Sequence, residues 1–494
     1  MPTTEERVNV VVVVGAGLSG IMACHVLSQT TTNIRIYLIE ARNRLGGRVE
    51  TIRSESGMEC DVGAQWIGPT HTELLQLIQQ YSSTTDTTPL QLVEQYYPSQ
   101  QQQQQPQQQQ KQQQRWTECV GFHQRPLTEQ DQQLIQDYIT LIDTLSSEID
   151  IEEPWTHPMA QHLDTMSIQD HLDAHIPTSF LAKQELALFY QTVLASRVDN
   201  VSFFFLLLYL KRNGGINAMG DGEEGLQKWK LNGGMIQLIT YMEQTLLQRG
   251  VTILTSSPVE TITDQGTGLV LTMRKNNNGP TTTTINNKIY ADRAILALSP
   301  QLVTQLTFEP PLDQDRMDLG QAFLPGKAMK VILSFDTPFW LQPRDIANDA
   351  ATLAFTNGPI HNLFHSTLGD TPALVGLITG AAAEDCESLS DEELQRRIVH
   401  QIQTMYQVQQ VPHCVIVKRW GLEEFSGGCY AGVCPPDGSL VRLGKLLQTP
   451  VGKYHWASTE TATIGYGYME GALLAGKRAA NEVLEYYTKL NPPS

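Results

Sequence analysis

At 494 residues the chain is too long for one ordinary core, so two or three domains are expected. A hydrophobic fraction of 41% fits a globular interior, and a net charge of −18 argues against nucleic acid as a partner while mildly favouring cationic ligands. Seven scattered cysteines fit a reducing compartment, and neither Cys24–His25 nor the Cys429 and Cys434 pair lies in a cluster at metal spacing, so no metal site is expected.

In chain order, the N-terminus MPTTEERVNV lacks a basic, then apolar leader. The apolar runs Val10 to Val14 and Phe203 to Leu208 are far short of a membrane span. The expected location is the cytoplasm. Residues 8–14, VNVVVVV, form a continuous β-branched run, the pattern of a strand buried on both faces of a parallel sheet. GAGLSG follows, and Leu18, Ile21, Met22 and Val26 recur at helical spacing. IRIYLI at 34–39 is a second strand, ending at Glu40, which completes a βαβ unit.

That unit carries a dinucleotide fingerprint. Gly15 permits the tight turn, Gly17 lets a pyrophosphate approach the backbone between Ala16 and Ser19, and Gly20 lets helix and strand pack closely. The helix N-terminus offers partial positive charge to phosphates. Glu40, twenty residues past Gly20, is placed to accept ribose hydroxyls. At this point NAD and FAD both remain open. EARNRLGGRVET at 40–51 adds Ala41, Arg42, Gly47 and Arg48, more phosphate-contacting groups than a nicotinamide site usually needs. CDVGAQWIGPTH at 60–71 adds a further glycine-rich approach through Gly63, Ala64, Gln65 and Trp66.

The remaining elements are plainer. A glutamine run over 99–115 is expected to be a solvated, disordered loop, and 275–287 another polar loop. Residues 131–148 and 168–212 have helical patterns, whereas 251–273 and 288–298 alternate like sheet. SGGCY at 426–430 puts a thiol and an aromatic ring at the end of a glycine turn. Over 467–487, Ala472, Gly476, Ala480, Val483 and Tyr487 share one helical face.

GAGLSG, EARNRLGGRVET, DVGAQWIGPTH, SGGCY and STETATIGYGYMEGALLAGKRAA stand in the order found in the flavin-containing amine oxidases. The chain resembles that family, the monoamine oxidases most closely, over essentially its whole length apart from the two polar loops. The resemblance implies FAD and an α/β fold. A Rossmann-like, p-hydroxybenzoate-hydroxylase-like FAD-binding domain would comprise 1–85, 216–300 and 420–494. A discontinuous α+β substrate domain would comprise 86–215 and 301–419.

The resemblance also implies roles. Cys429 would carry FAD as an 8α-S-cysteinyl thioether, with the preceding glycines letting the chain pass against the isoalloxazine edge. Tyr430 and Tyr468 would form an aromatic cage that attracts an amine and, by desolvating it, favours its neutral form. Lys330 would hold a water near the flavin and assist reoxidation. Trp420 would lie beside the flavin, Glu460 near its ribityl or pyrophosphate, and Val259 against the adenine. Met469 would begin a helix whose N-terminus stabilises negative charge in the reduced ring. The implied reaction is oxidative deamination of a primary or secondary amine, with oxygen reduced to hydrogen peroxide and the imine hydrolysed to an aldehyde.

The chain also departs from the family. Gln227 matches a cavity glutamine, but Gly220 stands where a bulky gating residue is usual, and Thr192 replaces an apolar cavity residue. A wider or more polar cavity follows. Asp221, Glu223 and Glu224 beside that gate would suit a diamine or polyamine. A catalytically silent flavoprotein scaffold is a further alternative, against which Lys330 and the tyrosine pair argue. The chain stops at LNPPS where mammalian relatives continue into a membrane anchor, so no anchor is expected. The expected partners are an amine and oxygen, and frequent dimers in the family leave a homodimer open.

Overall fold

A computed structural model describes residues 8–30, 33–54, 57–83, 89–94, 127–219, 224–274, 287–341 and 358–490. Its first layer is a parallel sheet in the order Tyr454–Trp456, Arg293–Leu296, Asn9–Val14, Ile34–Ile39, Thr252–Leu254. The valine run lies at its centre, and its alternation feeds two cores. Val11 and Val13 pack with the helix Leu18–Leu27 on one face, and Val12 and Val14 with Ile262 and Leu271 on the other. Both faces are covered, so a continuous apolar run is what this strand requires.

Helix Leu18–Leu27 is buried at nine of its ten positions. It lies between the parallel sheet and the last helix, Met469–Leu490. Glycine makes this spacing possible. A Cβ on Gly20 would stand 1.9 Å from the Gly15 carbonyl oxygen, and one on Gly476 would stand 2.1 Å from the Ser19 carbonyl oxygen. Neither backbone atom can swing aside. Gly476→Ala is therefore expected to cost about 1–3 kcal/mol through overpacking. An unchanged thermal midpoint would show that the two helices part more easily than this geometry allows.

A mixed sheet, Lys288–Ala291, Leu269–Met273, Val259–Asp264 and Thr307–Glu309, backs the other face of the parallel layer. Its last strand pairs parallel with Val259–Asp264, although Thr307–Glu309 falls in a stretch expected for the second domain.

The second large sheet is antiparallel, in the order Asn362–Leu368, Thr371–Thr379, Ala328–Ser334, Cys414–Arg419. Alternation again divides its faces. Met329, Val331 and Leu333 pack with Ile398 and Ile402 of the helix Asp391–Tyr406. On the opposite face, Asn362, Leu377 and Lys330 sit in register across three strands. The helix Phe180–Leu194 reaches that face, where Thr192 bonds Asn362, and belongs to a helical layer with Glu129–Ser147, Ile168–His175 and Phe203–Arg212. Thr128 and Ser167 start two of these helices with reciprocal capping boxes. Phe203 to Leu210 are all buried, which accounts for the FFFLLLYL run as core. No helix among the described residues is long and apolar enough to cross a membrane, and no His/Cys/Asp/Glu group among them could hold a metal ion.

The glutamine run and most of the 275–287 loop lie outside the described residues.

Candidate active site

One cavity of about 370 Å³ runs from the GAGLSG turn to the helical layer. At its first end Gly15 has φ +96°, a conformation glycine adopts without strain. Gly17 and Gly47 face each other across the cavity wall. A Cβ on Gly17 would meet nothing nearer than the Gly47 Cα at 4.0 Å, so this backbone stands open. Gly17 also caps helix Leu18–Leu27 without any side-chain hydrogen bond, and no acid occupies the first turn. Uncapped amides and the helix dipole make this an anion site.

Glu40 is 4% exposed. Its carboxylate accepts the Ala16 and Arg42 amides, both at 2.8 Å. Each oxygen keeps a further lone pair for hydroxyl donors. Ala41, Ser19 and Val259 line the same end. Arg42 lines it too, but its guanidinium is engaged by Glu423 at 3.2 Å and by the Ser426 hydroxyl at 2.9 Å.

Arg48 holds the middle together. It donates to both oxygens of Glu460, at 2.7 and 3.0 Å, and to the Tyr430 carbonyl at 2.7 Å. Glu460 is fully buried. Burial pushes its pKa up, but the charge and hydrogen bonds of Arg48 prevail and hold the carboxyl below its usual range. Three motifs remote in sequence are fastened by this one side chain.

Lys330 is 4% exposed on its strand. Its Nζ donates to the Gly63 carbonyl at 2.9 Å and to Gln65 Oε1 at 2.5 Å, and stands 5.2 Å from the Trp66 ring centre. Burial lowers its pKa to about 7, against the pull of Asp61. Ala64 donates its amide to the Arg48 carbonyl, which keeps the Gly63–Trp66 turn against the second glycine motif. Trp420 is buried and donates its indole N–H to the Val62 carbonyl at 3.0 Å.

Cys429 lines the cavity with Lys330, and burial pushes its thiol up to about 12 while Arg48 and Lys330 pull it down. The glycines of SGGCY serve the chain itself. A Cβ on Gly428 would stand 2.4 Å from the Gly326 carbonyl oxygen, and the Cys429 amide donates to that same oxygen at 3.0 Å. Gly428 thus also allows a close approach of the chain to Pro325 and Gly326.

The far end is aromatic. Tyr430 and Tyr468 line it, and burial raises both phenols, Tyr468 to about 12. The Tyr209 hydroxyl donates to that of Tyr468 at 3.4 Å. His71 sets its ring 5.6 Å from that of Tyr468, and burial lowers its pKa to about 4, so it is neutral. Phe189, Thr192, Gln227, Asn362, Phe364 and Leu377 complete the wall. Met469 borders the cavity at the start of the last helix.

The family model for flavin-containing amine oxidoreductases matches residues 18–484. The chain belongs to that family. It is 29% identical to flavin-containing amine oxidase A of Bos taurus, over 97% of this chain and 86% of that protein. It is 27% identical to the probable flavin-containing monoamine oxidase A of Dictyostelium discoideum, over 96% of this chain and 97% of that protein. Its fold matches putrescine oxidase bound to putrescine, with a TM-score of 0.79 at 24% identity over 97% of this chain and 99% of the other. Cyclohexylamine oxidase from Brevibacterium oxydans IH-35A matches equally, with a TM-score of 0.79 at 22% identity over 97% and 100% of the two chains. The α/β architecture expected from the sequence is therefore that of an amine oxidase.

A flavin dinucleotide suits this amine oxidase's cavity on its own geometry. Gly17 is open, the first helix N-terminus is bare, and Glu40 has lone pairs to offer. Ser299 Oγ, Gln65 Nε2 and the Tyr430 hydroxyl are buried on residues that line the cavity, and they find no hydrogen-bond partner among the described residues. Buried polar atoms of this kind call for a ligand or water.

Tyr209 and Asn362 of the cavity, and His71 beside Tyr468, are among the residues that escaped the sequence reading. Tyr209 was hidden inside an apolar run, and His71 was quoted only as the end of a motif. Asn362 belongs to no motif, and cross-strand register alone places it in line with Lys330. Gly220, Asp221 and Glu223 lie outside the described residues, while Glu224 is exposed.

Proposed function

We propose that this amine oxidase deaminates a primary or secondary monoamine, with FAD held covalently through Cys429 and oxygen reduced to hydrogen peroxide. One observation carries the reading: a single cavity joins the open GAGLSG turn to Cys429, Lys330, Tyr430 and Tyr468. The family resemblance supplies the chemistry, and the geometry supplies a place for it.

The first half of the cavity would hold the nucleotide, with Gly15, Gly17 and the helix N-terminus at the pyrophosphate, Glu40 at a ribose and Val259 at the adenine. Bound there, FAD supplies two-electron oxidation of the amine's α C–H bond and reaction with oxygen. The chain's own residues do the rest. Tyr430 and Tyr468 offer π faces to the amine and exclude water from it. A protonated Lys330 on the same cavity disfavours a second cation, which promotes the neutral amine that can be oxidised. The Arg48–Glu460 pair fixes the backbone of Tyr430, and with it the direction of the ring. Met469 presents a helix N-terminus that favours developing negative charge. We assign 1–85, 216–300 and 420–494 to the FAD-binding domain and the remainder to the substrate domain.

Among the described residues, the carboxylates that line the cavity, Glu40, Glu260 and Glu424, belong to segments of the nucleotide half, which favours a monoamine over a diamine there, while Asp221 and Glu223 lie outside the described residues. A scaffold without turnover has no use for a buried lysine that shares a cavity with the Tyr430 and Tyr468 pair.

The deciding test is acid precipitation of the yellow protein. The flavin is expected to remain with the pellet, Cys429→Ala is expected to release it, and mixing with simple amines is expected to yield peroxide. A flavin that washes free of the wild-type pellet would remove the covalent link. Absence of peroxide with every amine tried would remove the oxidase reading.

A further inference from the structure

Two buried polar side chains meet among Phe189, Phe364 and Leu377 in the wall of the amine end. Thr192 is 8% exposed and Asn362 is 5% exposed. The Thr192 hydroxyl donates to Asn362 Oδ1 at 3.0 Å. Thr192 shares its helical face with Phe189, three residues earlier, which also lines the cavity. Asn362 shares its sheet face with Leu377 and Lys330. Phe364, two residues along the same strand, also lines the cavity and packs with Leu377.

The sheet supplies a ruler. Asn362 is directly opposite Leu377, and Leu377 is directly opposite Lys330. Two strand spacings separate Asn362 from Lys330, about 10 Å between their backbones. That is comparable with the length of an extended arylethylamine. The polar pair therefore stands one substrate length from the lysine.

A polar pair at this place needs a reason. Burying a hydroxyl and an amide costs free energy that their mutual bond only partly returns. Valine and leucine would line the same wall without that cost. With its proton committed to Asn362, the Thr192 oxygen still has lone pairs, so the pair presents an acceptor to the cavity. The partner it suits is a neutral donor. A second ammonium would need a carboxylate, and none of the described residues at this end supplies one.

We propose that Thr192 and Asn362 form a hydroxyl-recognition subsite, so that this enzyme favours arylalkylamines bearing a hydroxyl at the end remote from the amine. The subsite rests on the amine-oxidase reading for its substrate, but its chemistry can be tested apart from turnover. One side of the experiment compares kcat/KM for tyramine and phenethylamine, which differ by one hydroxyl, in the wild type, Thr192→Val, Thr192→Ser and Asn362→Leu. The other compares calorimetric dissociation constants for 4-ethylphenol and ethylbenzene, which cannot be oxidised as amines, in the same flavin-loaded proteins.

The wild type is expected to favour the hydroxylated member of each pair by about tenfold, the worth of one good hydrogen bond. Thr192→Val and Asn362→Leu should bring both ratios towards unity, and Thr192→Ser should preserve them. A purely structural role would lower the rates for tyramine and phenethylamine in parallel and leave the ratios alone. That result, or a wild type indifferent to the hydroxyl in both pairs, overturns the proposal. If no amine is turned over, the oxidase reading fails, and the ratio of dissociation constants still decides the subsite.

Discussion

Replacing Glu460 by alanine is expected to destabilise the protein by about 3–5 kcal/mol, the usual cost of removing one partner from a buried ion pair. Glu460 has no exposed surface, and both of its oxygens are taken by Arg48. It also accepts the Gly432 amide at 3.3 Å. Without it, the Arg48 guanidinium keeps only the Tyr430 carbonyl at 2.7 Å, and the Gly432 amide loses its acceptor. Glu460→Gln keeps the shape and should fall between alanine and wild type. Chemical denaturation monitored by tryptophan fluorescence measures both, and a cost below about 1 kcal/mol would mean that water replaces the carboxylate without penalty. The sign with pH follows from the direction of the shift. The fold holds this carboxyl below its usual range, so its contribution is present above about pH 4.3 and is lost as pH falls through the lower folded value.

The second large effect is expected at Lys330. Lys330→Met keeps the length of the side chain and removes its charge and its bonds to the Gly63 carbonyl and Gln65. The rate at which the reduced enzyme consumes oxygen should fall by about 100-fold, the scale of losing one charged group from a preorganised site. Rapid mixing of anaerobically reduced enzyme with oxygenated buffer reads this step alone. In the wild type the rate should decline as pH rises through about 7, where Lys330 gives up its proton, and the variant should lose that limb. An unaltered pH profile in Lys330→Met would assign the ionisation to another group. Stability offers a second check. Burial lowers this pKa, so between about pH 7 and pH 10.4 the unfolded chain binds the proton that the fold has released. Stability from this group therefore rises with pH across that window, and the variant should lack the slope.

The parts of the site legible in sequence are those set by backbone rules. GAGLSG between a β-branched strand and a helix can be read because Gly15, Gly17 and Gly20 each meet a separate steric demand, and the structure shows two of those demands as close contacts. Glu40 was equally legible, because the length of a βαβ unit fixes where its acid falls. Side-chain partners across long separations were not legible. Arg48 was expected among the phosphate-contacting groups, and its bonds to Glu460 and Tyr430 are ones no local pattern announces. In SGGCY the contact of Gly428 with Gly326, from a segment a hundred residues earlier, was equally illegible. Asn362 illustrates the limit most clearly. Its importance comes from strand register, and register is settled only when three strands have paired.

The placement of the last elements has a consequence for how the chain is made. Tyr454–Trp456 completes one edge of the sheet that begins with Asn9–Val14, and Met469–Leu490 covers the helix Leu18–Leu27. That first helix is apolar on nearly every side. At synthesis rates of about 5–20 residues per second, it would leave the ribosome roughly 20–90 seconds before its cover exists. For that interval the nascent chain carries an apolar helix with one face still lacking its native cover. The helical layer of 127–219 is local in sequence and can form meanwhile, but the dinucleotide fold cannot close until the end of the chain arrives. Assembly is thus timed from the C-terminus, and a message cut short before Met469 would release a protein whose opening helix is packed against its sheet but bare on the face that Met469–Leu490 covers.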